Sequence, residues 1–229
     1  MVGWITWSET LGGWRPHMEE TQAAGFPLLR ADLPVHRNPS AQVRRVLRGA
    51  RRLVKAGCRR VLTEPGFCHW TVLADWGLRP VEAGRLSQAL AAPLILAALA
   101  QQGIPASRAC VALRGDRVTP ACARTAETLC HHVRQLIIDI PADGTELARY
   151  LRAEYGVAVL EEGTSNAGAC FSPKTGVQDG LQLYGVTPVL PGLAILPPGP
   201  DYGIDPLPLA ALLWEEGRLK LEDIRIVTV

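Results

Sequence analysis

The stretch CVALRGDRVTPACARTAETLCHHVRQLIID, from Cys110 to Asp139, decides the fold of this chain. Cys110 to Leu113 predicts a strand, Thr119 to His132 a helix, and Gln135 to Ile140 a second strand. A threonine followed by a proline favours a capped helix start, because proline lacks only an N–H that the first turn does not need. We therefore expect two parallel strands joined by a helix that packs across them.

This arrangement is typical of a Rossmann-like α/β fold, whose ligands bind at the carboxyl ends of the strands. In dinucleotide-binding proteins an acid after the second strand holds the ribose hydroxyls, and Asp139 occupies that place. The turn, however, reads Arg114-Gly115-Asp116 and lacks the G-x-G-x-x-G series that lets a backbone approach a pyrophosphate. The sequence thus predicts a degenerate Rossmann-like crevice. NAD(P) or another nucleotide is one candidate ligand, and the cofactor stays unassigned.

A second candidate segment is the loop Glu161 to Gly168, which follows an expected strand from Val157 to Leu160. We expect this loop at the carboxyl edge of the sheet, beside the Gly115 turn. The alternative to a functional loop is a turn without a binding role, built from ordinary turn-forming residues. For catalysis the candidates as acid or base are Glu162 and Asp139, and no nucleophile stands out. The expected ligand-binding residues are Arg114, Gly115, Asp116, Asp139, Thr164, Ser165 and Asn166.

The remainder of the chain alternates strands and helices, which favours a mostly parallel sheet. Breaks at Gly103 and Pro105 predict a smaller N-terminal α/β region at residues 1–103 and a Rossmann-like domain at residues 104–229. The first forty residues are expected to be irregular, apart from a short strand from Phe26 to Ala31. Within them, Trp4, Trp7 and Trp14 are interpreted either as anchors for a protein partner or homodimer, or as part of the core.

A basic helix is predicted from Ser40 to Gly57. Clustered cations can track phosphates, but they equally suit a solvated helix face or an acidic protein partner. No aromatic side chains interleave with them, so nucleic acid is not favoured. The cations of this segment are Arg44, Arg45, Arg48, Arg51, Arg52 and Lys55.

Composition and charge limit the kinds of protein and partner that fit this sequence. Apolar residues make up 48% of the 229 residues and charged residues 20%, so a sizeable core is expected. The net charge of +2 gives no reason to invoke nucleic acid or an anionic membrane. The start lacks the features of a signal peptide, and the longest apolar run, Ala89 to Ala100, is too short to cross a bilayer. That run is expected in one buried helix from Arg85 to Gln102, kinked at Pro93, and a cytoplasmic location is the default.

The six cysteines include no C-x-x-C pair, so we expect reduced, structural thiols and predict no metal site. Two functions remain. The first is a protein that binds a nucleotide-like or small anionic ligand, either as a binding protein or as an enzyme that acts on it. The alternative is a noncatalytic interaction or regulatory protein built on the same Rossmann-like frame.

Overall fold

The structure is a computed structural model that describes residues 1–9, 15–160, 163–173 and 180–229. Its contacts divide the chain into two compact units. Unit 1 combines Met1–Val81 with Pro197–Leu219, and unit 2 combines Glu82–Leu196 with Lys220–Val229. This division differs from the expected boundary between residues 103 and 104, because the helices before Gly103 pack within unit 2 and a late segment returns to unit 1.

Unit 1 is built on a five-stranded sheet in the order β2-β3-β1-β4-β5. Strand β2 is antiparallel to β3, and the other neighbours are parallel. Its elements up to residue 81 are β1 (Val2–Ser8), β2 (His17–Ala23), β3 (Phe26–Pro34), α1 (Pro39–Lys55), β4 (Arg60–Thr63), α2 (Trp70–Ala74) and β5 (Arg79–Pro80).

The expectation of an irregular N-terminus is wrong, because three strands lie within the first 34 residues. Strand β1 is central and buried on both faces, so it reads as a nearly continuous apolar run without the alternation of a half-buried strand. Ala24 and Gly25, both with positive φ, form the tight turn between β2 and β3. Trp4 is buried in β1 and so contributes to the core, whereas Trp14 lies outside the described residues.

Helix α1 begins two residues earlier than its sequence predicts, because its N-cap is Asn38 and not Ser40. Asn38 is the N-cap, and its side chain accepts a hydrogen bond from the Ser40 N–H at 2.9 Å. Arg45, expected on the solvated basic face, is instead buried, and its Nη1 donates to the carbonyls of Pro34 and Val35 at 2.6 and 2.7 Å. This guanidinium therefore ties α1 to the end of β3.

The rest of the chain supplies unit 2 and one further helix of unit 1, α7. The elements in chain order are α3 (Gly84–Ala89), α4 (Ala91–Gln101), β6 (Cys110–Arg114), α5 (Pro120–Cys130), β7 (Gln135–Asp139), α6 (Gly144–Tyr155), β8 (Ala158–Leu160), β9 (Ala167–Cys170), β10 (Leu181–Gln182), β11 (Leu193–Leu196), α7 (Pro206–Glu215) and β12 (Arg225–Thr228).

Unit 2 contains a parallel five-stranded sheet in the order β10-β9-β6-β7-β8. Val111 pairs with Leu136 and Leu113 with Ile138, which confirms the expected parallel unit and the Rossmann-like α/β class. The strand order reverses between β6 and β9, which makes their carboxyl ends the topological switch point of the sheet. Strands β11 and β12 form a separate antiparallel pair.

The two faces of the unit 2 sheet are covered differently. Helix α6 packs on the face that carries Ile138, since a Cβ built on Gly144 would lie 3.4 Å from Ile138 Cγ2. On the other face, the described part of the connection from β8 to β9, residues 163–166, contains no helix. It passes close to Ile137, whose Cδ1 lies 3.6 Å from a Cβ built on Gly163. The absence of a helix from the described part of this connection is the feature by which unit 2 differs from a regular Rossmann half.

The predicted single helix from Arg85 to Gln102 is two helices, α3 and α4, separated at Leu90. Pro93 explains the break, because its ring would clash with the carbonyl of Ala89 in a continuous helix, whereas it is tolerated in the first turn of α4. Within the described part of the chain, no helix is both long and apolar enough to cross a membrane.

Asp205 gives a pH-dependent prediction for unit 1. It caps α7 through a 3.3 Å hydrogen bond from the Leu207 N–H, and burial raises the pKa of its carboxyl. A pKa raised by folding means that ionisation opposes folding, so this contribution to stability is greatest below the ordinary pKa and falls as pH rises through the folded value. Asp205→Asn keeps the capping oxygen and removes the charge. We expect the variant to be more stable than the parent near neutral pH.

Urea unfolding followed by tryptophan fluorescence measures this effect, because the five described tryptophans belong to unit 1 and the sequence of unit 2 contains none. The difference between variant and parent should shrink as the pH is lowered toward the ordinary aspartate pKa. A variant that is less stable than the parent at neutral pH would contradict the assignment.

Candidate functional site

The predicted turn after β6 is held by one side chain and one backbone amide of neighbouring segments. The Asp116 N–H donates to Ser172 Oγ at 2.7 Å, and the Asp116 carbonyl accepts from the Ala142 N–H at 3.2 Å. Gly115 does not have a positive φ, and a Cβ there would lie 3.3 Å from Ser172 Oγ. Close packing at the switch point is therefore what favours glycine, and Ser172 is a neighbour of the turn that the sequence did not single out.

The N-terminus of α5 offers little to a phosphate. Thr119 Oγ1 accepts a hydrogen bond from the Cys122 N–H at 3.2 Å, and Pro120 has no N–H to donate. A pyrophosphate in a dinucleotide site binds free amides at this position of the fold. In this protein one of these amides, that of Cys122, already donates its hydrogen bond to the Thr119 side chain.

Arg114 links the end of β6 to the strands on both sides. Its Nε lies 3.8 Å from Asp139 Oδ2, on the neighbouring strand β7. In the opposite direction its Nη1 lies against β9, where a Cβ built on Gly168 would be only 2.7 Å away. The guanidinium can therefore lie across the sheet only because residue 168 has no side chain.

A cavity of about 430 Å³ adjoins this guanidinium. Arg114 is the one charged residue among the described residues that line it, and the others are small, apolar, hydroxyl-bearing or carboxamide side chains. The lining residues are Ala98, Gln101, Gln102, Arg114, Gly163, Thr164, Ser165, Asn166, Ala167, Gly168, Gly180, Leu181 and Pro191.

The cavity lies beside the amino-terminal half of β9. The ladder between β9 and β10 begins at the pair Ala169 and Leu181, so Ala167 and Gly168 have no β10 partner. Gly180 closes in at the end of this gap, where a Cβ would lie 2.7 Å from the Gly168 carbonyl oxygen. Gln101 and Gln102, at the end of α4, contribute the polar groups of the wall.

The structure separates the predicted binding residues into two groups. Arg114, Thr164, Ser165 and Asn166 line the cavity, whereas Gly115, Asp116 and Asp139 are not among its lining residues. The expected position of the second segment at the carboxyl edge is wrong for its described part. Asn166 exchanges hydrogen bonds with Cys110 at the amino end of β6, through its backbone N–H and its Oδ1, both at 2.8 Å. The short connection returns across the sheet before β9 begins, because β9 is parallel to β6.

The candidates for catalysis gain little support. Glu162 lies outside the described residues, and Asp139 is the partner of Arg114. All six cysteines are free, and burial raises the pKa of the Cys122 thiol to about 12 and that of Cys130 to about 11. Such thiols carry almost no thiolate near neutral pH, so they are poor nucleophiles. Within the described ranges, no cluster of His, Cys, Asp or Glu could hold a metal ion.

A second cavity, of about 530 Å³, lies in unit 1. It is formed by the end of the β2–β3 hairpin and Met1, and Glu20 is the charged residue in its described lining. It lacks the convergent polar groups that usually fix a small ligand. The cavity beside β9 is therefore the stronger candidate.

Comparison with known proteins adds no functional assignment. The chain matches no family model, and a comparison with curated proteins finds no relative. The function must accordingly be argued from the geometry of the cavity.

Proposed function

We propose that this protein binds a small anionic ligand in the cavity beside β9. The observation that carries the proposal is the position of Arg114, whose guanidinium passes over Gly168 and lines a cavity with no carboxylate among its described residues. A guanidinium presents a planar fork of donors that matches a carboxylate or a phosphate. The expected complex is one in which that fork holds the anionic group of the ligand.

The electrostatic setting supports an anion. The Arg114 side chain is 20% exposed, so its charge is less screened by water than that of a surface arginine. Its Nε lies 3.8 Å from Asp139, which is longer than a hydrogen bond, and Asp139 is 42% exposed. This partial pairing leaves the other edge of the guanidinium to a ligand, while Thr164, Ser165 and the two glutamines offer hydrogen bonds to its polar substituents.

The geometry favours a small anion over NAD(P). The N-terminus of α5 is capped by Thr119, the Asp116 N–H is bonded to Ser172, and no glycine series opens the turn. A volume of about 430 Å³ is within the usual range of small-molecule sites. One cation in the described lining suits a carboxylate or a single phosphate better than a pyrophosphate.

Thermal unfolding in the presence of candidate ligands tests the proposal. The panel comprises inorganic phosphate, sulfate, acetate and malonate, with AMP and NAD as nucleotide probes. A ligand that binds the folded state raises the midpoint in a saturable manner. We expect at least one small anion to do so and NAD to have no effect. Stabilisation by the nucleotides alone would replace this proposal with the nucleotide hypothesis, and no response to any probe would count against both.

Gly168→Ala provides a prediction specific to this geometry. The added Cβ would displace the Arg114 guanidinium, so the stabilising anion should bind about tenfold more weakly, equivalent to about 1.4 kcal/mol. The severe overlap is with the end of a flexible side chain, and the next contact, 3.3 Å to the Ala112 carbonyl oxygen, needs only a small backbone shift, so the fold should persist. Isothermal titration measures the change in affinity.

A double variant supplies the control for Gly168. If the methyl group acts through the guanidinium, Gly168→Ala should add little further loss in a protein that already carries Arg114→Gln. Two fully additive losses would show that Gly168 affects the ligand by another route.

A further inference from the structure

We propose that the outer face of α1, formed by Val43, Arg44, Leu47, Arg51 and Lys55, binds an acidic and partly apolar surface of a protein partner. The face lies in unit 1 and does not depend on the ligand site of unit 2. Positions three, four and seven residues apart share one side of a helix, so these five side chains form a continuous strip.

The charge of α1 is one-sided. Its sequence, PSAQVRRVLRGARRLVK, contains six basic residues and no acidic ones. Arg44 and Arg48, and likewise Arg51 and Lys55, are like charges four residues apart, an arrangement that destabilises a helix. Within the described part of the chain, no ion pair joins a carboxylate to Arg44, Arg51 or Lys55. Arg44, Arg51 and Lys55 therefore carry positive charge that no ion pair among the described residues neutralises.

Part of this charge has a structural use. Arg45 is buried against the carbonyls of Pro34 and Val35, and Arg52 Nη1 donates to the Pro16 carbonyl at 2.8 Å. Arg48 also has an interaction within the chain. The cations without such a structural role are Arg44, Arg51 and Lys55, and together they span about 16 Å along three turns of the helix.

Apolar side chains adjoin these three cations. Val43 and Leu47 remain 36% and 39% exposed and lie one turn apart, next to Arg51 on the helix surface. The Arg51 guanidinium lies 5.9 Å from the centre of the Trp76 ring, so its position is partly fixed before any partner binds. The face thus combines positioned positive charge with exposed aliphatic surface.

This combination favours a protein over nucleic acid. Phosphates would neutralise the cations but leave Val43 and Leu47 in water. None of the five residues of the face is aromatic, and the neighbouring Trp76 ring already lies against the Arg51 guanidinium, so a base has no free ring on which to stack. A surface that bears carboxylates beside aliphatic side chains would pair with the cations of the face and also cover its two apolar side chains. An acidic amphipathic helix is the simplest partner of that kind.

Fluorescence anisotropy with the full chain tests the proposal. The probe is a labelled amphipathic helical peptide with glutamates along one side and leucines beside them, compared with a peptide in which serines replace the leucines and with single-stranded and duplex DNA. We expect the leucine-containing peptide to bind at low salt at least about tenfold more tightly than the serine peptide or either DNA, and binding should weaken as salt rises.

Two sets of variants distinguish charge from apolar contact. The triple variant Arg44→Gln, Arg51→Gln, Lys55→Gln should lose at least about tenfold in peptide affinity, and Val43→Ser with Leu47→Ser at least about threefold. A control that removes the same charge elsewhere, Arg134→Gln, Arg149→Gln, Arg225→Gln, should leave binding unchanged, since these arginines are exposed in unit 2. Urea unfolding followed by tryptophan fluorescence should place the stability of the charge-removal variant within about 1 kcal/mol of the parent, and that result would exclude unfolding as the cause.

The contrary outcomes are equally definite. Equal losses in the α1 triple variant and the control would mean that the peptide senses only total charge, and the face would be a solvated one. DNA that binds as tightly as the peptide and depends on the same cations would assign the face to nucleic acid. Absence of peptide binding at low salt would also overturn the proposal.

Discussion

Arg114→Gln should weaken the binding of the stabilising anion by roughly one to two orders of magnitude. Hydrogen bonds to a charged group contribute about 1.5 to 3 kcal/mol, and the guanidinium is the one positive charge in the described lining of the cavity. Glutamine keeps a polar side chain of moderate length but cannot neutralise an anion. Isothermal titration with the anion identified in the thermal panel measures the loss.

Arg117→Gln is the matched control for this prediction. Arg117 lies three residues further along the same turn, is exposed, and is not among the residues that line the cavity. Its replacement changes the net charge equally and should leave the affinity within about threefold of the parent. Equal losses in the two variants would indicate nonspecific attraction to a basic protein, and an unchanged affinity in Arg114→Gln would remove the proposed site.

Leu113→Ala should destabilise unit 2 by about 2 to 5 kcal/mol, the usual cost of emptying a fully buried leucine site. Leu113 is fully buried in β6, the central strand, between its neighbours Ile138 on β7 and Ala169 on β9. The three residues lie on one face of the sheet, so the lost methyl groups leave a gap where the strands meet. Urea unfolding followed by far-ultraviolet circular dichroism measures the loss.

Leu160→Ala is the control for the core prediction. Leu160 ends the edge strand β8 and is 37% exposed, so its truncation should cost less than about 1 kcal/mol. Tryptophan fluorescence reports on unit 1 alone, because unit 2 contains no tryptophan. A Leu113→Ala protein as stable as Leu160→Ala would show that β6 is not the centre of the core.

The strand–helix–strand segment from Cys110 to Asp139 could be predicted because every local sequence signal agrees. Thr119 caps the helix as expected, and Leu136 to Ile138 forms a buried apolar strand beside Val111 to Leu113. In a parallel sheet covered on both faces, such short apolar runs flanked by a capped helix leave few alternatives. The parallel pairing follows from that consistency.

The N-terminal strands could not be recognised by the same reasoning. Strand β1 is buried on both faces, so it shows no alternation, and its tryptophans were compatible with either a docking surface or a place in the core. Strand β2 is an exposed edge whose polar sequence carries no apolar period. Pairing with β3, which lies between them, makes both segments strands, and this is a tertiary effect that local propensity does not contain.

For a related reason, the sequence could indicate some residues of the candidate site but not where in the sheet they lie. Polar loop residues such as Thr164 and Ser165 can be selected from sequence, but the edge of the sheet to which a loop returns depends on the order of the strands. Gly168 and Gly180 are a further signal in the sequence, since an isolated glycine in or beside a strand often marks a close backbone approach. Here Gly168 accommodates the guanidinium and Gly180 approaches β9.

The nitrogen-15 spectrum of the arginine Nε–H groups, recorded while inorganic phosphate, sulfate, acetate or malonate is added, tests the central claim most directly. The Arg114 resonance, assigned as the one that disappears in Arg114→Gln, should shift in a saturable manner with at least one of these anions, while the Arg117 resonance stays in place. A spectrum in which no anion moves the Arg114 signal, or in which all exposed arginines shift together without saturation, would contradict the claim that this side chain holds the ligand.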